Sequence, residues 1–277
     1  MYDVYPSQIA QLDRTRLEQA ITSRCQVIPV ADDVVLARVL TRYKMFLRPS
    51  DIGFGCHVMM DGFWEIWLTQ FFARTVKPGM CVVDIGANFG YYTMLFADMV
   101  GAAGKVVAAE PNPDVASLLQ RSVNLNGFAG RTEVLQAAMS DAAGGTVAFF
   151  APDGEPKNAA MGMGHGGAGT QYFVDVTNLE ALANRIGKID LIKVDAEGAE
   201  AAIIAGMGAA LEAQAPAMVL EFNPVRGTDP AGLLDRLIAI YGGLTVVGFD
   251  SIPTPVTKEK VMSAQDNEDW LLYLSRG

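Results

Sequence analysis

Three absences narrow the classes of protein that this sequence can encode. Cysteine is scarce: Cys25, Cys56 and Cys81 are widely spaced and form no CxxC pair. A disulfide framework or a cysteine zinc site is therefore not expected, and buried thiols in a reducing cytoplasm are the better interpretation. No apolar run approaches the roughly 20 residues that span a bilayer, and the first residues lack the pattern of a secretory signal. We therefore expect a cytoplasmic protein without a transmembrane segment.

Positive charge is also in short supply. Lysine and arginine number 21 against 31 acidic residues, which gives a net charge of −10, and no long basic run is present. Such a surface would be repelled by a phosphate backbone, so nucleic acid is not expected as a partner. Apolar residues, by contrast, make up 51% of the chain. That share is enough for the core of one large domain, or of one domain with an appended segment.

Residues 1–60 differ in pattern from residues 61–277. The helical spacing of Leu17 and Ile21 predicts one helix, and Asp32 with Asp33 predicts the start of a second helix that runs through Leu40. A turn-rich stretch with several glycines follows. We therefore expect residues 1–60 to form a helical extension that acts as a lid or as an oligomer contact, and the oligomeric state stays open.

From residue 61 onward, short apolar runs alternate with helical patterns. Two of the runs, 146–151 and 171–176, flank a glycine-rich loop and predict a hairpin. Repeated βα units predict an α/β, Rossmann-like fold with a mostly parallel, seven-stranded sheet covered by helices on both faces. The strands of this sheet are expected at residues 80–85, 105–110, 132–138, 190–195, 217–222, 244–249 and 270–275.

A glycine-containing turn follows the first strand of the expected sheet. Asp84 ends the strand, the turn contains Gly86, Ala87, Asn88 and Gly90, and a helix begins at once. Glycine lets the backbone turn tightly and approach a ligand, while the N-terminus of the helix offers free N–H groups. The turn is therefore expected to bind a cofactor.

An acidic residue at the end of the second strand helps to identify this cofactor. Glu110 closes the second strand, where a carboxylate can accept hydrogen bonds from both hydroxyls of a ribose. An NAD site would use the same features, but the NAD-binding motif has three glycines spaced G-x-G-x-x-G, whereas this turn has two. The carboxylate of Asp84 suits a ligand with an ammonium and a sulfonium group. The pattern therefore favours S-adenosylmethionine over NAD, and Pro111 and Ala137 are expected to complete the site.

Three stretches of the sequence resemble a known family: VVDIGANFGYYTMLFA, AAEPNP and DLIKVDAEGAEAAIIAGM. They are similar to the FkbM-type methyltransferases, and the K-x-D-x-E-G-x-E signature is the most specific part of the likeness (Lys193, Asp195, Glu197, Gly198 and Glu200). The resemblance implies a class I methyltransferase fold and O-methylation of a hydroxyl on a sugar, a glycan or a polyketide-like small molecule. Two alternatives stay open: an NAD-dependent oxidoreductase, and a non-catalytic module that binds the cofactor.

Methyl transfer to a hydroxyl needs a general base, or a metal that lowers the pKa of the hydroxyl. Reactive groups of this fold lie at the carboxyl ends of the strands. Asp195 ends the fourth strand and is the foremost candidate, both as a catalytic group and as a contact of the methyl donor. Glu197 in the following turn, Glu221 at the end of the fifth strand and His165 in the glycine-rich loop are further catalytic candidates. Lys193 is expected only to pair with a carboxylate.

Each candidate has a structural alternative. Glu197 is as well placed to cap the next helix, and the loop that carries His165 is more simply a disordered surface loop. Asp195, Glu221 and Asn223 would give three oxygen ligands from adjacent strand ends, a set that suits Mg²⁺. No histidine joins them, so zinc is not expected. Mg²⁺ is therefore an optional second cofactor.

Three more positions bear on the site. Trp64 and Glu65 precede the first strand on a helical pattern that is placed to cover the cofactor, although core packing explains Trp64 equally well. Glu200 falls in the first turn of the helix after the signature, where a negative charge is favourable without any catalytic role.

Overall fold

The computed structural model describes residues 4–152, 160–161, 169–196, 198–265 and 268–276. The segment before the main sheet contains four helices and three strands within its described residues. In chain order these are α1 Pro6–Gln11, α2 Arg14–Thr22, β1 Val27–Ala31, β2 Val34–Val39, β3 Tyr43–Leu47, α3 Gly55–Asp61 and α4 Ile66–Thr75.

The helix expected to begin at Asp32 and Asp33 was wrong, because the chain forms an antiparallel sheet in the order β1-β2-β3 there. Asp33 has a left-handed φ of 51° that reverses the chain between β1 and β2. Along β2, Val35, Ala37 and Val39 are buried and alternate with more exposed neighbours. That period of two belongs to a strand, and β-branched valines favour it. The N-terminal extension is therefore only partly helical.

The rest of the chain follows the alternating pattern that the sequence predicts. Its strands are β4 Cys81–Ile85, β5 Lys105–Ala109, β6 Thr132–Leu135, β7 Ala138–Met139, β8 Thr146–Pro152, β9 Ala160–Met161, β10 Gly169–Thr177, β11 Leu191–Val194, β12 Ala217–Phe222, β13 Leu244–Val247, β14 Pro253–Val256 and β15 Trp270–Leu274. Its helices are α5 Tyr91–Val100, α6 Pro113–Leu125, α7 Leu179–Ile186, α8 Glu200–Ala205, α9 Ala209–Gln214, α10 Pro230–Tyr241 and α11 Lys258–Met262.

The main sheet has the strand order β14-β13-β15-β12-β11-β4-β5-β6. The strands from β12 to β6 pair in parallel, whereas β15 is antiparallel to both β12 and β13. The mostly parallel, Rossmann-like sheet is thus confirmed. It has an eighth strand beyond the seven expected, because β14 folds back on β13 as a hairpin. Pro253 and Pro255 are tolerated in β14 because it lies at the edge of the sheet.

A second, smaller sheet lies beside the main one, in the order β7-β10-β8-β9. Its long antiparallel pair, β8 with β10, is the hairpin that the sequence predicts. β10 also pairs in parallel with β7, which follows β6 after a short connection. The small sheet is thereby held next to the carboxyl end of the main sheet. The glycine-rich loop 162–168 lies outside the described residues.

The N-terminal segment and the main sheet share one hydrophobic core. Ile9, Leu17 and Met45 are fully buried in the same cluster as Phe72 of α4 and Phe96 of α5. Each such side chain contributes about 1.5–3 kcal/mol when it is fully buried, so this packing holds the N-terminal segment against the main sheet. A domain division at residue 60 stays a prediction. Within the described parts of the chain, no helix is long and apolar enough to cross a membrane.

Candidate active site

The carboxyl ends of β4, β5, β11 and β12 lie side by side. Asp84 of β4 is in register with Lys193 of β11, and Ile85 is in register with Val194. Because parallel neighbours end at the same edge of a sheet, the residues that follow these strands converge there. The site is built from this edge, with one wall supplied by the chain before β4.

The turn after β4 depends on glycine at position 86. Gly86 has a φ of +70°, and a Cβ atom there would lie 1.8 Å from the carbonyl oxygen of Asp195. Only glycine lets the turn pack against the end of β11. Gly90 has a φ of +94°, and a Cβ atom there would lie 2.2 Å from Leu119 of α6. Gly90 therefore fits the start of α5 against α6, and it lines neither of the cavities described below.

Glu110 is buried and anchored by backbone groups. Its Oε2 accepts a hydrogen bond from the N–H of Asn88 at 2.9 Å, and its Oε1 accepts one from the N–H of Asn112 at 2.8 Å. Burial raises the pKa of Glu110 to about 7, although the two N–H donors oppose the shift. The carboxyl group is thus fixed in orientation beside the glycine turn, where a ribose was expected.

Asp84 is completely buried at the end of β4. It accepts a hydrogen bond from the hydroxyl of Thr93 at 2.6 Å, and its Oδ1 lies 3.7 Å from Nζ of Lys193. Burial raises the pKa of Asp84, while Lys193 and Thr93 act in the opposite direction. Since Asp84 lines neither cavity, we expect it to act through Lys193, and its direct contact with a cofactor stays a prediction.

Lys193 connects the buried and the accessible carboxylates. Its Nζ lies 3.2 Å from Oδ2 of Asp195 and 5.3 Å from the ring centroid of Tyr92, which covers it. Burial lowers the pKa of Lys193, but Asp195 and Asp84 outweigh burial and hold it above its ordinary value. Lys193 therefore stays positively charged between two carboxylates, whereas the sequence predicted only that it pairs with one.

Asp195 and Glu221 form a carboxyl pair. The side chain of Asp195 is 38% exposed, and it is hydrogen-bonded to Glu221. Burial, followed by the charge of Asp195, raises the pKa of Glu221. Two carboxyl groups in hydrogen-bond contact share a proton near neutral pH. Because Lys193 stabilises charge on Asp195, the proton belongs mainly to Glu221.

The wall opposite the strand ends comes from α4, α5 and the segment before α3. Glu65 is the N-cap residue of α4, and its Oε2 accepts a hydrogen bond from the hydroxyl of Tyr92 at 2.8 Å. The rings of Phe54 and Trp64 meet edge to face, with centroids 5.3 Å apart. Aromatic faces and a carboxylate therefore stand across from Asp195.

Two cavities open at this edge of the sheet, and both are bounded by Gly86, Glu110 and Asp195. The first, here called the polar cavity, has a volume of about 120 Å³ and is also lined by Phe54, Trp64, Glu65, Ala87, Asn88, Tyr91, Tyr92, Lys193 and Glu221. The second, the apolar cavity, has a volume of about 60 Å³ and is also lined by Ile85, Ala109, Pro111, Ala137, Ala138, Met139, Phe149, Ala196, Ala199 and Ile203.

Asn223, one of the three ligands expected for Mg²⁺, already has hydrogen-bond partners. Its side-chain amide donates to Oδ1 of Asp269 at 3.1 Å, and its oxygen accepts from the N–H of Val225 at 2.9 Å. The site of Asp195, Glu221 and Asn223 stays a prediction. Among the residues described, no group of three or more His, Cys, Asp or Glu is placed to hold a metal ion.

The remaining candidates fall into two groups. Glu197 and His165 lie outside the described residues. Glu200 accepts hydrogen bonds from the N–H groups of Ala196 and Gly198, at 3.2 and 3.1 Å. Its carboxylate therefore holds the turn between β11 and α8, which agrees with the structural role expected for it.

Lys193 and Asp195, both named from the sequence, are two positions apart, so strand alternation was a usable signal that both face the same side. The site also contains residues that the sequence did not single out. Tyr92 and Phe54 come from elements far from the signature, and no spacing in the sequence connects them with it. Their contribution follows only from the shared core that fixes α4 and α5.

Comparison with known proteins agrees with this arrangement. The model of the methyltransferase FkbM domain matches residues 84–274. Protein-L-isoaspartate O-methyltransferase 1 of Arabidopsis thaliana is 33% identical over 69 residues, which are 25% of this chain and 30% of that protein. Protein-L-isoaspartate O-methyltransferase of Aeropyrum pernix is 36% identical over 88 residues, 32% of this chain and 33% of that protein. The chain thus spans about a third of these relatives.

Solved structures of methyltransferases are similar at low identity. An FkbM methyltransferase of Methylobacillus flagellatus KT is 16% identical, with 76% of this chain and 53% of that chain covered and a TM-score of 0.47. An O-methyltransferase of Bacillus cereus, in complex with SAH, is also 16% identical, with 70% and 73% covered and a TM-score of 0.38.

The match to the family model bears on one of the alternatives left open by the sequence. It extends over more than half of the chain, from the end of β4 through β15, and includes the glycine turn, Glu110 and the signature around Asp195. The match therefore favours a methyltransferase domain over a nicotinamide-dependent oxidoreductase. The protein belongs to the methyltransferase FkbM family.

Proposed function

We propose that this enzyme transfers the methyl group of S-adenosylmethionine to a hydroxyl of a sugar, a glycan or a polyketide-like small molecule. The observation that carries the proposal is the meeting of two unlike cavities at Gly86, Glu110 and Asp195. A methyl donor that extends from one cavity toward the other would present its sulfonium where they join. The acceptor then enters the polar cavity.

The apolar cavity suits the adenosine part of the donor. Its lining is mostly aliphatic, with Pro111, Ala137 and Phe149 among the residues, and it can bury the faces of a purine. Glu110 stands between the cavities with its oxygens fixed by backbone donors, so it is placed to receive the ribose hydroxyls. Gly86, Ala87 and Asn88 line the polar side, where the methionine part would lie.

Asp195 is the proposed general base. Methyl transfer is an in-line displacement, so positioning dominates, and a hydroxyl must lose its proton as its oxygen attacks. The new C–O bond forms while the C–S bond breaks and S-adenosylhomocysteine leaves. The hydroxyl proton passes to Asp195, whose charge Lys193 stabilises and whose neighbour Glu221 already holds a proton. Glu197 and His165 stay as predicted contributors.

We assign no step to Mg²⁺. Lys193 already supplies positive charge between Asp84 and Asp195, and the amide of Asn223 is engaged elsewhere. We also propose a cytoplasmic location, which the three free thiols favour because a reducing compartment keeps cysteine in that form.

The experiment that tests the proposal follows formation of S-adenosylhomocysteine by the purified enzyme with a panel of hydroxylated acceptors. The linkage in any product is then determined by nuclear magnetic resonance. A new O-methyl group on a sugar or a polyketide-like acceptor supports the proposal. A methyl group attached to carbon or nitrogen, or to a carboxylate, would contradict it.

A further inference from the structure

The proposed chemistry leaves Glu65 of the polar cavity without a role. Its backbone is left-handed, with a φ of 38° and a ψ of 64°, a conformation that residues other than glycine rarely adopt. Such conformations persist where the surrounding structure imposes them, and they cluster at sites that bind ligands. The strained backbone therefore makes the side chain of Glu65 a candidate for binding a ligand.

The side chain is held in the cavity from the wall opposite the strand ends. The hydroxyl of Tyr92 donates to Oε2 of Glu65 at 2.8 Å, and the ring of the same tyrosine covers Lys193. The charge of Glu65 acts on Glu221 across the cavity. Glu65 and the pair of Asp195 and Glu221 thus face the same space from two sides.

The charged groups that line the polar cavity are mostly acidic. Four carboxyl groups, of Glu65, Glu110, Asp195 and Glu221, line the polar cavity, and Lys193 is the only cation among its described lining residues. Lys193 already interacts with Asp84 and Asp195. Since Glu221 holds a proton, the negative charge that a phosphate, sulfate or carboxylate on the acceptor would meet comes chiefly from Glu65 and Asp195. Hydroxyls and protonated amines would instead meet acceptors of hydrogen bonds.

The aromatic lining agrees with such an acceptor. Phe54 and Trp64, which stand next to Glu65, offer ring faces and edges to the cavity. These surfaces pack against the apolar face of a ring, and an aromatic face also attracts a cation. A molecule with an apolar face and donors along its rim fits both features.

We propose that Glu65 determines the specificity for the acceptor. Its carboxylate accepts a hydrogen bond from a second hydroxyl or a protonated amine of the acceptor, and it excludes acceptors that carry an anionic group at that place. This inference rests on the proposed function, since it assumes that the polar cavity holds a hydroxylated acceptor beside Asp195.

The test compares three acceptors that share one skeleton: methyl glucoside, the corresponding amino sugar glycoside and the corresponding glucuronide. Formation of S-adenosylhomocysteine gives kcat and KM for the wild type and for Glu65→Gln, which keeps the shape of the side chain and removes its charge. Glu212→Gln is the matched control, because it makes the same change of charge at an exposed position of α9.

The wild type is expected to use the neutral and amino acceptors with a kcat/KM at least roughly tenfold above that of the glucuronide. Glu65→Gln should lower kcat/KM for the amino acceptor roughly tenfold, mainly through KM, because a charge-assisted hydrogen bond is lost. It should raise kcat/KM for the glucuronide. Glu212→Gln should change none of the three.

Calorimetry with S-adenosylhomocysteine separates the outcomes. If the wild type binds it but prefers the glucuronide, uses none of the three acceptors, or loses activity equally on all of them in Glu65→Gln, the inference about Glu65 is overturned. If the wild type does not bind it, the proposed function fails first. Should Glu65→Gln not fold, Tyr92→Phe removes the O–H group that orients Glu65 but keeps its charge, so it must lower kcat/KM for the amino acceptor without raising kcat/KM for the glucuronide.

Discussion

The two cavities that meet at Asp195 differ in the chemistry of their walls. The apolar cavity is bounded by aliphatic side chains of the sheet, of α8 and of the small sheet that contains Phe149. The polar cavity is bounded by carboxyl groups, one ammonium group and four aromatic rings. Under the proposed function, burial and shape would hold a purine on one side, whereas charge and hydrogen bonding would select what enters the other. Asp195 and Glu110 belong to both sides, so substitutions at these positions test how far the two functions separate.

The largest effect is expected at Asp195. Asp195→Asn keeps the shape of the side chain but removes the charge that receives the hydroxyl proton, so kcat should fall by roughly 10²–10⁴-fold while cofactor affinity changes little. Steady-state kinetics and calorimetry with S-adenosylhomocysteine measure the two quantities. Asp32→Asn, at an exposed turn, serves as the control.

Other results would give Asp195 a different role and would show that the functions of the two cavities cannot be separated at this residue. Equal losses of turnover and of cofactor affinity would make Asp195 a cofactor ligand rather than a base. Full activity would move the role of base to Glu221, Glu197 or His165. Activity that EDTA abolishes and Mg²⁺ restores would return a metal to the mechanism.

The next effect concerns the turn on which both cavities depend. In Gly86→Ala the new Cβ atom would lie 1.8 Å from the carbonyl oxygen of Asp195, so the turn or β11 must shift. We expect the free energy of unfolding to fall by more than about 3 kcal/mol and cofactor binding to be lost.

Gly127→Ala is the matched control, because Gly127 has a similar φ of +73° with nothing within 4 Å of its Cβ position. It should cost only about 1–2 kcal/mol, the price of the left-handed backbone alone, and leave binding unchanged. Urea denaturation and calorimetry provide both measurements. Equal destabilisation by the two substitutions would show that the approach to Asp195 is unimportant.

A smaller effect is expected at Glu110, on the cofactor side. Glu110→Ala removes the carboxylate placed for the ribose hydroxyls, and two charge-assisted hydrogen bonds at about 1.5–3 kcal/mol each predict an affinity at least roughly tenfold lower. The acceptor KM, measured at saturating cofactor, should stay unchanged. Unchanged affinity for S-adenosylmethionine in calorimetry would remove Glu110 from the ribose site.

The smallest effect is the pH dependence that Glu110 introduces. Its pKa is raised from 4.5 to about 7 in the folded protein, so the folded state holds the proton more tightly than the unfolded state. Stability contributed by this group should therefore fall as the pH rises from about 4.5 to about 7. Affinity for the cofactor should rise several-fold through about pH 7, because the ionised carboxylate is the better acceptor.

The measurement compares thermal unfolding and calorimetry of the wild type with those of Glu110→Gln, which does not titrate. The difference between the two proteins isolates Glu110 from Glu221, whose pKa is also raised. A pH profile that is identical in both proteins would contradict the role assigned to burial of Glu110.

How much the sequence predicts depends on whether the signal is local. The strand Ala217–Phe222 agrees with the expected limits, because its apolar residues lie within the segment. The pairing of β8 with β10 was likewise visible as two strand-like runs around a glycine-rich loop. Local patterns thus predicted most of the main sheet.

The sequence did not predict the N-terminal sheet, because the signal for that sheet is not local. Asp32 and Asp33 resemble helix caps, and only the strand pairing of β2 with β1 and β3 shows that Asp33 turns the chain instead. The polar cavity has the same difficulty, since Phe54 and Tyr92 meet near Asp195 only after the core has formed. When a contact joins two distant segments, the residue spacing within either segment does not predict it.

The shared core of the N-terminal segment and the main sheet has a consequence for how such enzymes diversify. Phe54, Trp64 and Glu65 precede residue 84, where the match to the family model begins, yet they form one wall of the polar cavity. The matched region contains the glycine turn and Glu110, and with them the part of the chain placed to receive the methyl donor. A relative that carries a different leading segment in front of the same sheet would keep its donor and exchange its acceptor.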